Sequence, residues 1–148
     1  MDRPDNLVEL HQKYIKDTPE KAIIVDVTIL LAYLPKILMK RGLFANQKVH
    51  INTRVIKHMY DKKPSEELDV ILTNLSKIIS QVEEIYQNLK AKRGDICLLG
   101  KVKGIKYICS VETSETGNSV VTCFRLRDES YLKKYKILWS RKGGDPSS

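Results

Sequence analysis

The stretch SEELDVILTNLSKIISQV, residues 65–82, is where the pattern of the chain declares itself. Its apolar positions are Leu68, Ile71, Leu72, Leu75, Ile78, Ile79 and Val82. They recur about every 3.6 residues, the signature of a helix with one buried face. Glu66, Glu67 and Asp69 open it, where the helix dipole favours acids. Beyond this helix the period changes to two. Alternating runs at residues 84–87, 95–102, 106–113 and 119–127 are separated by Arg93-Gly94, Lys103-Gly104 and Glu115-Thr116-Gly117-Asn118. Gly and Asn breaks between short alternating runs mark hairpins.

Working outward, Pro64 ends a preceding helix over residues 53–62, capped by Asn52 and striped with Val55, Ile56, Met59 and Tyr60. Residues 48–51 read as a short strand. Asp5 and Asn6 can cap a first helix whose inner face carries Leu7, Leu10, His11 and Tyr14. Residues 22–27 are β-rich and predict a strand. Thr28 opens an expected helix over residues 28–41, kinked at Pro35 and stopped at Gly42. A short helix is expected over residues 130–136. The expected class is therefore α+β: helices followed by a four-stranded antiparallel sheet, with an N-terminal strand-helix elaboration. The expected division is an elaboration over residues 1–47, an α+β domain over 48–142 and a disordered tail over 143–148.

The chain has 148 residues, 42% hydrophobic and 30% charged, enough for a core without disulfide staples. Its net charge is +8, and residues 90–148 hold 13 Lys/Arg against 6 Asp/Glu, so most of the excess is C-terminal. Such a surface attracts phosphate backbones; it can also be simple solubility charge. Cys97, Cys109 and Cys123 lie in apolar runs and read as buried reduced thiols. The N-terminus lacks the apolar run of a secretory signal, and the apolar residues 22–38 are broken by Asp26, Pro35 and Lys36. A cytoplasmic protein without a membrane partner is expected.

Metal and cofactor chemistry has no support in the motifs. CxxC, HxxxH, DxD, phosphate-loop and dinucleotide glycine patterns and GxSxG are all absent, and His11, His50 and His58 are far apart in sequence. No metal and no cofactor is expected. Acid–base and electrostatic chemistry remains, and RNA suits it because its 2′-hydroxyl is a built-in nucleophile. His58 is the candidate acid or base. It lies about 60° from Val55 around its helix, at the edge of the apolar stripe, with Lys57 and Arg54 nearby. A boundary histidine packed on the sheet would show the same pattern. On the strand SVVTCFRLR, residues 119–127, alternation puts Val120, Thr122, Phe124 and Leu126 on one face and Val121, Cys123, Arg125 and Arg127 on the other. Two arginines at i and i+2 can grip phosphate. Tyr131, Tyr135 and Trp139 among basic residues read either as a stacking platform or as anchors for the tail.

The run Arg54-Val55-Ile56-Lys57-His58-Met59-Tyr60-Asp61-Lys62-Lys63-Pro64 resembles the histidine helix of phage and mobile-element nuclease-like domains, grouped with barnase, EndoU, colicin D-type and RelE-type ribonucleases. The run Val120-Val121-Thr122-Cys123-Phe124-Arg125-Leu126-Arg127, with Tyr131-Leu132-Lys133-Lys134-Tyr135, resembles their closing strand and tail. The resemblance spans residues 48–141. It implies a barnase/RelE-like sheet and metal-independent RNA cleavage to a 2′,3′-cyclic phosphate by a phage- or mobile-element effector or toxin. It places His58, Thr122 and Arg125 in the site. The barnase-type glutamate has no clear counterpart, Glu112 being the nearest.

On this reading Arg125, helped by Lys101 or Lys103, stabilises phosphate charge, Thr122 orients the scissile phosphate and Tyr135 stacks a base or lends its hydroxyl. Lys57, Arg127 and Arg141 complete the RNA-binding set. The alternative is a non-catalytic nucleic-acid-binding or regulatory module on the same scaffold. The discriminating geometry is whether His58, Thr122 and Arg125 share one groove; separation favours the alternative. A third possibility is an inhibitor protein or a second copy docking on the N-terminal third.

Overall fold

In the computed structural model, which describes residues 6–141, helices α1 (Leu7–Tyr14), α3 (Thr53–Lys62) and α4 (Ser65–Ser80) pack on one side of a single sheet. Strands β1 (Thr28–Tyr33), β2 (Lys48–Asn52), β3 (Glu84–Gln87), β4 (Ile96–Val102), β5 (Ile105–Glu112), β6 (Asn118–Arg125) and β7 (Lys136–Ser140) lie in the order β1-β2-β6-β5-β4-β3-β7. Only β2 and β6 are parallel; every other neighbouring pair is antiparallel. A short helix α2 (Lys36–Lys40) follows β1, and a 3₁₀ helix (Glu129–Lys134) precedes β7.

This corrects the expected four-stranded antiparallel sheet: the sheet has seven strands and is mixed. Two segments account for the difference. The N-terminal hairpin β1–β2 joins through β2, and the chain beyond the 3₁₀ helix returns as β7 against β3. The expected helix over residues 28–41 is also corrected. Its first half, Thr28–Tyr33, pairs with β2 as a strand in which Ile29, Leu31 and Ala32 are buried. Pro35 forces Leu34 to stay extended, and Leu34 N–H donates to the Gln47 carbonyl at 2.9 Å. Helix starts only after Pro35. The expected strand over residues 22–27 is irregular backbone, with Ile23 and Val25 exposed. The expected tail over residues 143–148 lies outside the described residues.

The core between helices and sheet draws on the whole described chain. Leu7, Ile15, Leu31, Leu34 and Leu38 share it with Ile56, Met59, Ile71, Leu75, Ile78, Leu98 and Cys109. Each large aliphatic side chain buried there contributes about 1.5–3 kcal/mol. Gly100 permits the closest approach of α4 to β4: a Cβ there would meet Ile78 Cγ2 at 2.8 Å and the Ile78 Cα and carbonyl oxygen at 3.1 Å. The opposite sheet face carries a smaller cluster, Cys97, Leu99, Ile108 and Leu126, packed by Tyr86, Phe124, Leu132 and Tyr135. No helix among the described residues is long and apolar enough to cross a membrane.

The parallel junction is short, pairing Val49 with Asn118 and His50 with Ser119. Asn118, fully buried, reinforces it: its side-chain amide donates to the Asn46 carbonyl at 2.7 Å and the Lys48 carbonyl at 2.9 Å. Asn118→Ala would leave both carbonyls without that donor, and should cost about 1–3 kcal/mol. Urea unfolding of the two proteins measures this; equal midpoints would show that the junction holds without the amide.

Candidate nucleic-acid interface

Beyond Ser119 the sheet divides. The β2 chain turns at Asn52 into α3, while β6 continues to Arg125 with no strand partner on that side among the described residues. Asn52 makes the turn by capping α3: its Oδ1 accepts from Arg54 N–H at 2.8 Å and from Arg54 Nε at 3.3 Å. The neighbouring Thr53 hydroxyl donates to the Val25 carbonyl at 2.7 Å and accepts from Val27 N–H at 2.9 Å. The start of α3 is thus pinned from both sides.

The division leaves a cleft of about 500 Å³, whose lining includes His50, Arg54, His58, Arg93, Ser119 and Val121. Arg54 and His58 are one turn apart on α3. His50 comes from β2, its ring resting on Gly117, where a Cβ would come within 2.9 Å of Cε1. Arg93 arrives from the β3–β4 connection. There Gly94, at φ +66°, lies against Val121 and Ser110, with space for a Cβ only at 3.0–3.2 Å from their side chains. The two guanidiniums have exposed acidic partners, Asp26 at 3.5 Å for Arg54 and Glu112 at 2.9 Å for Arg93. Exposed pairs of this kind are worth roughly 0–1 kcal/mol, so a phosphate can displace them. A second hollow of about 460 Å³, beside α1, has a different character: Asp17, Glu20, Asp61 and Asp69 offset Lys16 and Lys63 there.

The three expected catalytic residues are not brought together. His58 opens into the cleft. Arg125 lines separate hollows near the start of α4 and the β4–β5 turn. Thr122 pairs with Ser110 on the sheet face away from the helices. Alternation alone sets Thr122 and Arg125 on opposite faces of β6, and a β-bulge decides which of the two faces the helices. Val111 pairs with Val120 and Ser110 with Thr122, which leaves Val121 as an extra residue. The phase of β6 slips by one, so Val120 joins Cys123 in the helix-side core, while Thr122 and Phe124 take the other face.

Most of the other expected contacts are engaged elsewhere. Lys57 is buried, its ammonium donating to Asp61 at 2.8 Å, Thr18 Oγ1 at 2.9 Å and the Pro19 carbonyl at 2.7 Å. That hydrogen bond holds the Asp61 carboxyl below its ordinary range. Lys101 faces Glu83 at 3.6 Å. Arg141 donates to the Val82 carbonyl at 3.0 and 3.2 Å and lies over Trp139, fastening β7. The Tyr135 hydroxyl accepts from Asn88 at 3.1 Å, and burial followed by its contact with Tyr131 pushes the phenol up. Lys103 is exposed at the β4–β5 turn, with φ +51°. Glu112 is the partner of Arg93.

Sequence reasoning missed His50, Arg93 and Ser119 as cleft residues. The i, i+4 spacing of Arg54 and His58 was a usable signal; the reach of Arg93 from a turn had none. Among the described residues no group of three or more His, Cys, Asp or Glu is placed to hold a metal ion. Neither family models, nor curated proteins, nor solved structures give a match to this chain.

Arg127 is bonded to Glu67 of α4, which also faces Lys63 at 3.6 Å. Burial would raise the Glu67 carboxyl, but the Arg127 hydrogen bond and the Lys63 charge outweigh it and hold the group below its ordinary value. A depressed carboxyl stabilises the fold above its unfolded-state pKa, and that stability is lost as pH falls through the folded-state value. Arg127→Ala should therefore cost about 1 kcal/mol at pH 7, discounted for the exposed guanidinium. The deficit should shrink in acid. Denaturant titrations at pH 7 and pH 3 test this, and a deficit constant across both would remove the ion pair as its cause.

Proposed function

We propose that this protein binds single-stranded RNA by its phosphodiester backbone in the cleft between α3 and β6. The observation that carries the reading is the meeting of His50, Arg54 and His58, from the continuous β2–α3 stretch, with Arg93, from the β3–β4 connection, in one hollow. Guanidiniums supply fork-shaped donors for phosphate oxygens. The Ser119 side chain adds a neutral polar group beside them. The excess of positive charge supplies long-range attraction. The unpaired Cys97, Cys109 and Cys123 fit work in the reducing cytoplasm.

A second reading adds catalysis, and one observation favours it: two imidazoles line the same cleft as the two guanidiniums. One histidine would take the 2′-hydroxyl proton and the other would protonate the departing 5′-oxygen. Arg54 and Arg93 would hold the charge on the pentacoordinate phosphorus. The products would be a 2′,3′-cyclic phosphate and a 5′-hydroxyl end, formed without metal. The resemblance of residues 54–64 to the histidine helix of barnase–EndoU–colicin–RelE-type nucleases supports this reading. The separation of Arg125 and Thr122 from His58 weighs against the mechanism first expected, so backbone binding is the primary reading.

Both readings meet in one set of measurements. Arg54→Ala with Arg93→Ala should weaken binding of a single-stranded oligoribonucleotide and reduce the slope of log K against log salt by about 1.4, or about 0.7 for each lost phosphate contact. An unchanged slope would dismiss the cleft as the binding site. New cyclic-phosphate ends from total RNA in excess chelator, with His58→Ala losing about 100-fold or more of the rate, would establish the catalytic reading. Intact RNA at high protein concentration leaves binding alone.

A further inference from the structure

On the sheet face away from the helices, the smaller apolar cluster is closed by the 3₁₀ helix, which sets Leu132 and Tyr135 over Leu99, Ile108 and Leu126. Tyr131, on the same helix, is not needed for that closure and stays 43% exposed. Its ring is nonetheless fixed in orientation. It meets Phe124 edge-to-face at 5.5 Å and 79°, and Tyr135 at 5.2 Å and 76°. An exposed aromatic ring held by two others is a pre-ordered surface, which loses little side-chain freedom when something flat lies on it.

The surroundings select the occupant. Lys63 lies 5.8 Å from the Phe124 ring centre. Lys133 and Lys134 are exposed on the 3₁₀ helix and form no ion pair among the described residues. The nearby acids are engaged: Glu129 is bonded to Lys106, and Asp128 accepts from Ser130 N–H at 3.0 Å. A flat, uncharged or anionic group is favoured over a cationic one. Position narrows the choice further. Phe124 is on the face away from the helices, three residues beyond Val121, a wall of the cleft, and a strand crossing the open edge of β6 beyond Ser119 passes from one to the other. At about 3.3 Å per residue this is roughly 10 Å.

We propose that Tyr131, backed by Phe124 and Tyr135, is a stacking subsite for one nucleobase of the single strand whose phosphate occupies the cleft. This rests on the cleft reading and gives its preference for an unpaired strand a physical cause: a base inside a duplex has no free face to offer. The base is read by its π-surface, so the subsite is tolerant of sequence. It also gives the strand a direction, from the cleft along β6 toward the 3₁₀ helix.

The test uses a single-stranded, fully 2′-O-methylated oligoribonucleotide, which cannot be cleaved through its 2′-position, with one abasic residue walked along its length. The wild-type protein should show one position where base removal costs on the order of tenfold in affinity. 2-Aminopurine at that position should be quenched on binding. Tyr131→Ala should abolish both the position effect and the quenching, whereas Tyr131→Trp should retain them. A flat abasic walk with the wild-type protein, when Arg54→Ala with Arg93→Ala still weakens binding, would overturn the stacking subsite and leave the cleft standing. A position effect that survives in Tyr131→Ala would also overturn it. Should Tyr131→Ala fail to fold, the wild-type walk and the Trp variant decide the matter. If no oligomer binds even at low salt, the subsite falls together with the cleft.

Discussion

The architecture depends on a junction two residue pairs long. Strands β2 and β6 pair only at Val49–Asn118 and His50–Ser119, yet this ladder joins the N-terminal hairpin to the remaining strands. Backbone pairing over so short a length is weak, and a buried side-chain amide supplements it by tying β6 to two carbonyls of the β2 arm. Because the junction is brief, the strands part immediately beyond it, and the cleft is the space they leave. A longer parallel ladder would strengthen the sheet and close the hollow. Stability at the junction and room for a ligand are therefore opposed, and Asn118 lets both persist.

The helices were legible in the sequence because their signals are local. The stripe from Leu68 to Ile79, the Asn52 cap and the stop at Pro64 each depend on residues within a few positions. The sheet was less legible, since its membership is decided by contacts distant in sequence. Nothing in TILLAY distinguishes a buried helix turn from a buried strand. The pairing with β2, which orders Leu34 and Gln47 as well, decides it. Likewise Ile137 and Trp139 alternate over too few residues to announce a strand, and β7 exists because β3 offers it an open edge.

The site was legible in part, for the same reason. Arg54 and His58 lie one helical turn apart, which sequence alone shows. Charge counting, however, treats all cations alike, and the fold does not. Lys57 is consumed inside the protein by Asp61, Thr18 and Pro19, and Arg141 holds β7 to the Val82 carbonyl. Arg93, unremarkable in the sequence, reaches the cleft only because Gly94 lets the β3–β4 connection lie flat on β6. Which basic residues remain available for a ligand is a property of the folded arrangement of acids and carbonyls around them.

The extra residue at Val121 has a consequence for how variation along this strand should be read. On either side of it, the letters obey two inside–outside rhythms offset by a single place. Loss of one residue at that point would iron out the kink and leave every downstream side chain on its present face. Loss of one residue anywhere between Thr122 and Phe124 would transpose inward and outward positions for the rest of the strand unless the kink itself migrated or vanished. A gap in this strand is therefore harmless or ruinous according to its placement, and letter-by-letter alignment across position 121 would pair inward residues with outward ones.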